Sequence, residues 1–123
     1  MSDYLQNIWR EIYGSESIMP SDINLLVGKN APNNWEIYKL SNQTDTIFHL
    51  DKFPSPYVII NKPMAELSTE LIQFAATVCK SKSKYKNVPN VGVLYTPIYN
   101  TTMGDKIGSF VIISNRKKYL VHI

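Results

Sequence analysis

Basic side chains in the second half of this 123-residue chain are the groups best suited to bind a ligand. Residues 71–123 contain eight lysines and arginines but a single acidic residue, Asp105, although the net charge of the whole chain is only +3. Gathered on one surface, such cations attract phosphates and other polyanions; dispersed, they form an ordinary solvated surface. The two candidate clusters are Lys80, Lys82, Lys84 and Lys86, and Arg116, Lys117 and Lys118.

Lys29 and Asn30 add a cation and an amide at a turn in the first half. His49 and Tyr57 are secondary candidates for ligand contact. A histidine in a strand-like run is more often a structural residue, so polyanion contact by His49 is the less favoured interpretation. Aromatic residues of the basic half offer rings on which unpaired bases stack, although a strand tyrosine serves equally well in a core. These residues include Tyr85, Tyr95 and Tyr99.

No motif for catalysis or metal binding is found. The two histidines, His49 and His122, are far apart in sequence, and Cys79 is the only cysteine, which excludes an internal disulfide. A cysteine nucleophile requires a histidine base and an orienting group, which the sequence does not specify, so we expect Cys79 to be packed and inert. The segment Gly104–Gly108 lacks phosphate-loop spacing and predicts a simple turn. We therefore predict a non-enzyme without metal or cofactor.

Helical and strand-like segments alternate along the chain. Leu5, Ile8, Trp9 and Ile12 recur at helical spacing before Gly14, which predicts an amphipathic N-terminal helix. A second, short helix is expected to be capped by Asn33 or Asn34. A third begins near Ser68 and is expected to continue through the lysines to residues 87–90. Strands are predicted at 23–27, 46–50, 57–60, 91–96, 109–114 and 119–123, with a last hairpin tip at 115–118.

This order, α-β-α-β-β-α-β-β-β, predicts an α+β fold with a mixed, mostly antiparallel sheet, two or three helices and an antiparallel C-terminal meander. The length suits one domain, and no apolar run is long enough to span a bilayer. Without a recognisable secretion signal at the start, a cytoplasmic location is expected.

Seven segments in unbroken order from residue 21 to 123 resemble the NFACT-R domain, the RNA-binding module of NFACT proteins, which act in ribosome-associated quality control. The resemblance implies a domain at 21–123 in stand-alone form, preceded by a helical extension at 1–20. It departs at Ile47, which replaces a tryptophan, and at Ser55–Tyr57, which replaces Gly-Ser-His. The matching segments are Gly28–Asn34, Thr46–His49, Pro54–Ile60, Ala75–Lys80, Val91–Thr96, Gly108–Val111 and Lys117–Val121.

The resemblance and the charge pattern together predict a non-catalytic module that binds structured RNA or a ribosomal surface through a basic face. Duplex DNA is a further candidate ligand, and no membrane partner is expected. The alternative is docking to a protein partner or to a second copy of the chain. In that case an exposed stripe of Leu5, Ile8, Trp9 and Ile12 would be the contact surface, unless the N-terminal helix packs on its own sheet.

Overall fold

The structure is a computed structural model that describes residues 2–123 and contains three α-helices and seven strands within that range. The helices are α1 (Ser2–Tyr13), α2 (Ala31–Leu40) and α3 (Thr69–Ser81). The strands are β1 (Leu25–Val27), β2 (Thr46–Leu50), β3 (Val58–Ile60), β4 (Gly92–Pro97), β5 (Thr101–Met103), β6 (Phe110–Ile112) and β7 (Tyr119–His122). The α+β class and the predicted order of elements are confirmed, with one additional short strand, β5.

A five-stranded sheet in the order β1-β3-β2-β4-β7 forms the centre of the fold. Its strand pairings are antiparallel, with Ile47 opposite both Ile59 of β3 and Thr96 of β4. Since successive side chains of a strand point to opposite faces, the central strands divide their apolar residues between two hydrophobic clusters. Phe48 and Leu50 belong to one cluster, and Ile47 belongs to the other.

Helices α1 and α3 cover the first face of the sheet. Phe74 and Val78 of α3 are fully buried in the larger cluster, where Phe74 meets the Trp9 ring of α1 edge-on at a centroid distance of 5.0 Å. Two hydrogen bonds from α1 fasten the pair of helices at both ends. The Tyr4 hydroxyl lies 2.8 Å from Ser81 Oγ, and the Tyr13 hydroxyl donates to the Glu70 carbonyl oxygen.

Helix α2 and a two-stranded ribbon of β5 and β6 cover the second face. Ile37 of α2 packs with Ile47 and Ile59 of the sheet, and Phe110 of the ribbon joins them. A hydrogen bond between the Tyr38 hydroxyl and Thr101 Oγ1, 2.7 Å apart, links the ribbon to the helix. This second layer leaves a gap beyond the N-terminus of α2.

The predicted C-terminal meander is wrong. Strand β6 pairs with β5 in the separate ribbon, whereas β7 pairs with β4 at the edge of the main sheet. Residues 115–118 therefore connect two sheets and are not a hairpin tip. The hairpin lies earlier, at the turn of 104–109, where Gly108 adopts a φ of +82° that favours glycine.

Two helix boundaries also differ from the predictions. Helix α3 begins as expected, with Ser68 Oγ accepting from the Leu71 N–H, but it ends at Ser81. Lys82, Lys84 and Lys86 therefore do not extend a helix. Helix α2 is capped by Asn30, whose side chain accepts from the Asn33 N–H, and not by Asn33 or Asn34. An asparagine just before a proline-containing first turn favours this cap.

The N-terminal helix forms as predicted, but its apolar stripe is not a free docking surface. Leu5, Ile8 and Trp9 are buried in the larger cluster and Ile12 packs against it. The structure thus shows the alternative, in which the N-terminal helix packs against the rest of its own fold. Residue 1 of the predicted extension 1–20 lies outside the described residues, and a domain boundary at residue 20 stays a prediction.

We expect Trp9→Ala to lower the free energy of unfolding by about 3–5 kcal/mol, because it removes a buried ring between α1 and α3. Urea denaturation of purified protein measures this change. Ile18→Ala, at a side chain 78% exposed in the same N-terminal region, is the matched control and should have little effect. Equal effects of the two substitutions would show that α1 is not part of the core.

Candidate nucleic-acid interface

A cleft of about 940 Å³ opens where the second layer is incomplete. Four segments form its walls: the N-terminus of α2, the turn between β2 and β3, the residues after α3, and the turn between β5 and β6. Sheet residues His49 and Leu94 lie among them. The walls come from distant parts of the sequence, so tertiary contacts determine the shape of the cleft.

The buried amide of Asn34 holds the α2 side of the cleft. Its Oδ1 accepts a 3.0 Å hydrogen bond from the Tyr57 N–H at the start of β3, and its Nδ2 lies 3.5 Å from the Gly108 carbonyl oxygen. Gly28 leaves room for this side chain, since a Cβ atom at residue 28 would collide with the Asn34 amide. Asn34 therefore connects three of the segments around the cleft.

The turn between β5 and β6 lies directly on the first turn of α2. A Cβ atom at Gly108 would be 2.5 Å from the Ala31 carbonyl oxygen, so only glycine permits this approach. The Trp35 indole N–H donates to the Ser109 carbonyl oxygen at 2.9 Å and fixes the same turn. Lys106 lies inside this turn and lines the cleft together with Lys29, which precedes α2.

Ser55 organises the turn between β2 and β3, where the segment Pro54–Pro56 lines the cleft. Its hydroxyl accepts from the Leu50 N–H at 3.0 Å and donates to the Pro56 carbonyl oxygen. Cys79 packs beneath this turn with its Sγ 3.6 Å from Ser55 Oγ. Complete burial raises the pKa of the Cys79 thiol to about 12, so the thiol is packed and protonated.

His49 lies at the floor of the cleft as a neutral ring. Its Nδ1 is 2.7 Å from the Leu50 carbonyl oxygen, which can only accept, so Nδ1 carries the proton. The ring packs edge-on against Tyr57 and Phe110 at centroid distances of 5.8 and 5.6 Å. Burial lowers the pKa of His49 from its ordinary value of 6.5, although the carbonyl contact opposes this shift. The ring is thus mainly a packing residue with one side on the cleft.

Four lysines from three segments surround the cleft: Lys29, Lys82, Lys84 and Lys106. All four side chains are exposed. Lys82 is held in place, since its Nζ lies 3.8 Å above the centre of the Tyr4 ring, a cation–π contact. Asp51 is the one carboxylate among the described lining residues, and it pairs with Lys118 at 3.1 Å. The cleft therefore has a positive rim whose single acid is neutralised.

The predicted site residues divide into two groups. Lys29, Asn30, His49, Lys82 and Lys84 all line the cleft, and Lys118 reaches it through Asp51. The remaining cations Lys80, Lys86, Arg116 and Lys117 do not line it.

Two of the predicted residues have structural contacts that limit a binding role. Lys80 Nζ donates to the Ile123 carbonyl oxygen at 2.8 Å. Tyr57 is fully buried, which leaves no surface for a ligand, and its hydroxyl has no hydrogen-bond partner among the described residues. Burial, together with the neighbouring Tyr38, raises the pKa of Tyr57. The Tyr57 ring packs edge-on against His49. The burial of Tyr57 therefore contradicts its predicted role in direct ligand contact.

Lys106 is the cleft lysine that sequence reasoning missed. Lys106 lies in the segment 104–108, which has no phosphate-loop spacing and predicts only a simple turn. The available signal was the pair of glycines that bracket Asp105-Lys106-Ile107, because such a turn presents its central side chains outward. Only the contact of Gly108 with α2 places that turn at the cleft.

Residues 2–123 contain neither a side-chain group suited to a metal ion nor a membrane-spanning helix. No group of three or more His, Cys, Asp and Glu side chains that could hold a metal ion was found in this range. Nor does any helix within it have the length and apolar character required to cross a membrane.

Comparisons with known proteins identify a family. A family model described as the NFACT protein RNA binding domain matches residues 15–113. The C-terminal part of a fibronectin/fibrinogen-binding protein from Streptococcus suis superimposes with a TM-score of 0.75 at 20% identity, over 98% of this chain and 55% of that chain. This chain therefore spans about half of the solved relative, with which it shares the fold. No curated protein matches the sequence.

We expect Asn34→Ala to lower the free energy of unfolding by about 1–3 kcal/mol, because it leaves the buried Tyr57 N–H without an acceptor. Urea denaturation measures the loss. Asn42→Ala removes an amide from an exposed position and is the matched control. A loss no larger than that of the control would show that Asn34 does not hold the three segments together.

We expect acid to destabilise the protein in part through His49. Because the folded-state pKa lies below 6.5, the stability that the neutral ring contributes is complete above that pH and is lost as the pH falls toward the folded-state value. His49→Gln should therefore lose less stability than the wild type on acidification, as measured by urea midpoints. An unchanged response in His49→Gln would contradict the prediction.

Proposed function

This chain belongs to the NFACT RNA-binding domain family, and from that premise we propose that it binds RNA through the positive cleft without catalysing a reaction on it. Lys29, Lys84 and Lys106 contact phosphates from three sides, and Lys82 adds charge at the rim. The RNA is free and structured, or it is part of a ribosomal surface. A cytoplasmic location accords with both ligands.

The observation that carries this proposal is the convergence of cations on one concave surface. The lysines come from the start of α2, the segment after α3 and the ribbon turn, yet they line one cleft. Like charges repel, so such a cluster of lysines lowers stability unless an anion binds there. The pairing of Asp51 with Lys118 removes the nearest internal competitor for that anion.

The rigid parts of the cleft favour binding of a preformed shape. Its backbone walls are fixed by Asn34, Ser55 and the close approach of Gly108 to Ala31. Charged heads on flexible stems surround these walls, which suits phosphate contacts that need no single geometry. Docking to a protein through α1 receives no support, since that stripe is buried. Self-association stays a prediction.

Replacing three cleft lysines tests the proposal. The variant Lys29→Gln, Lys84→Gln and Lys106→Gln should weaken RNA binding about tenfold or more at low salt. It should also reduce the slope of log K against log salt by about 2–3, since each lost phosphate contact removes about 0.7 for a single strand and about 0.9 for a duplex. Fluorescence-anisotropy titrations of labelled RNA over a salt series measure both quantities.

The matched control removes the same charge elsewhere. Lys39→Gln, Lys86→Gln and Lys117→Gln alter three exposed lysines that do not line the cleft. This variant should nearly retain the affinity and slope of the wild type. Equal losses in the two variants would mean that net charge, and not the cleft, governs binding. Wild-type protein that binds no RNA at low salt would refute the function itself.

A further inference from the structure

Two aromatic rings form a shelf at the rim of the cleft. Phe53, from the turn between β2 and β3, lies nearly parallel to Tyr85, from the segment after α3, with 4.2 Å between ring centroids and 23° between planes. Tyr85 lines the cleft, as does Pro54, the neighbour of Phe53. Phe53 is 38% exposed. We call this pair the Phe53–Tyr85 shelf.

The shelf has one occupied and one accessible surface. Tyr85 packs both against the larger hydrophobic cluster and against Phe53. Phe53 is the more exposed ring of the pair, so part of its surface meets solvent. A phenylalanine has no polar atom to keep it at the surface, and a third flat ring continues such a stack favourably.

A lysine precedes each of the two rings in the sequence. Lys52 precedes Phe53 and Lys84 precedes Tyr85, and both lysines are exposed. The ring pairs Trp9–Phe74 and Tyr57–Phe110, in contrast, contribute to the hydrophobic clusters. The Tyr95–Tyr119 pair also has an exposed ring that follows a lysine, but neither of its rings lines the cleft. An exposed flat ring flanked by cations matches a nucleotide, which has a flat base joined to a phosphate.

We propose that the cleft binds an unpaired nucleotide, in a single strand or a loop, whose base stacks on the outer face of Phe53 while Lys52 and Lys84 contact the adjoining phosphates. This proposal rests on the proposed RNA binding and adds its ligand class. A continuous duplex hides the faces of its bases, so it meets only the lysines. The shelf thus selects unpaired over paired RNA without reading sequence, because every base has a flat face.

Binding of three short RNAs of equal length tests the proposal: a single strand, the same strand with the bases removed, and a blunt duplex. Wild-type protein should bind the single strand about tenfold more tightly than the abasic strand, since stacking contributes about 1–3 kcal/mol per base and 1.4 kcal/mol is tenfold. Phe53→Leu should weaken single-strand binding about tenfold and leave abasic and duplex binding unchanged. Phe53→Trp, with a larger ring, should retain or strengthen it.

The control is Tyr99→Leu, which removes a tyrosine ring 47% exposed and outside the cleft lining. It should bind all three RNAs like the wild type. Equal affinities of Phe53→Leu and the wild type for the single strand would overturn the shelf while leaving RNA binding in place. The same follows if Phe53→Leu loses affinity equally for all three RNAs. Wild-type protein that binds none of them would overturn the shelf and the proposed function together.

Discussion

The cleft depends on one buried amide more than on any charged group. The Asn34 side chain accepts a hydrogen bond from the Tyr57 N–H, and its Nδ2 faces the Gly108 carbonyl oxygen. It occupies the space that the missing side chain of Gly28 leaves free. A buried polar side chain is stable only when its hydrogen bonds are made, so these three segments have one arrangement in which the amide is satisfied. The positions of Lys29 and Lys106 follow from that arrangement, because both lie on the segments that Asn34 joins.

The two faces of the sheet differ in how completely they are covered. Helices α1 and α3 bury a continuous apolar layer on the first face, which supplies most of the hydrophobic stabilisation. The second face is only partly covered, by α2 and the ribbon, and its smaller cluster ends at the ring of His49. A site can form there because the uncovered part of that face is wide enough for a cleft, while the opposite face keeps the sheet rigid.

Binding groups of two kinds surround this cleft. The lysines are flexible and act through charge, so they hold a polyanion without fixing its orientation. The Phe53–Tyr85 shelf is a pair of nearly parallel rings, and the Tyr85 ring also packs against the larger hydrophobic cluster. Long-range attraction and short-range shape recognition are thus carried by separate residues, and a substitution can change one without the other.

The sequence by itself determined the α+β class, the order of the elements, the end of α1, the start of α3, and the family, because periodicity, caps and ordered motifs are local signals. It also indicated that the lysines of the second half could bind a ligand, but it could not show which of them line the cleft. Lys84 lines the cleft and Lys86, two residues later, does not, because α3 ends at Ser81 and the chain turns. Tertiary structure alone decided that Tyr57 is buried, that β6 leaves the main sheet, that Lys106 lines the cleft and that Phe53 stacks on the cleft residue Tyr85. Each of these outcomes depends on contacts between residues far apart in sequence, which local patterns do not encode.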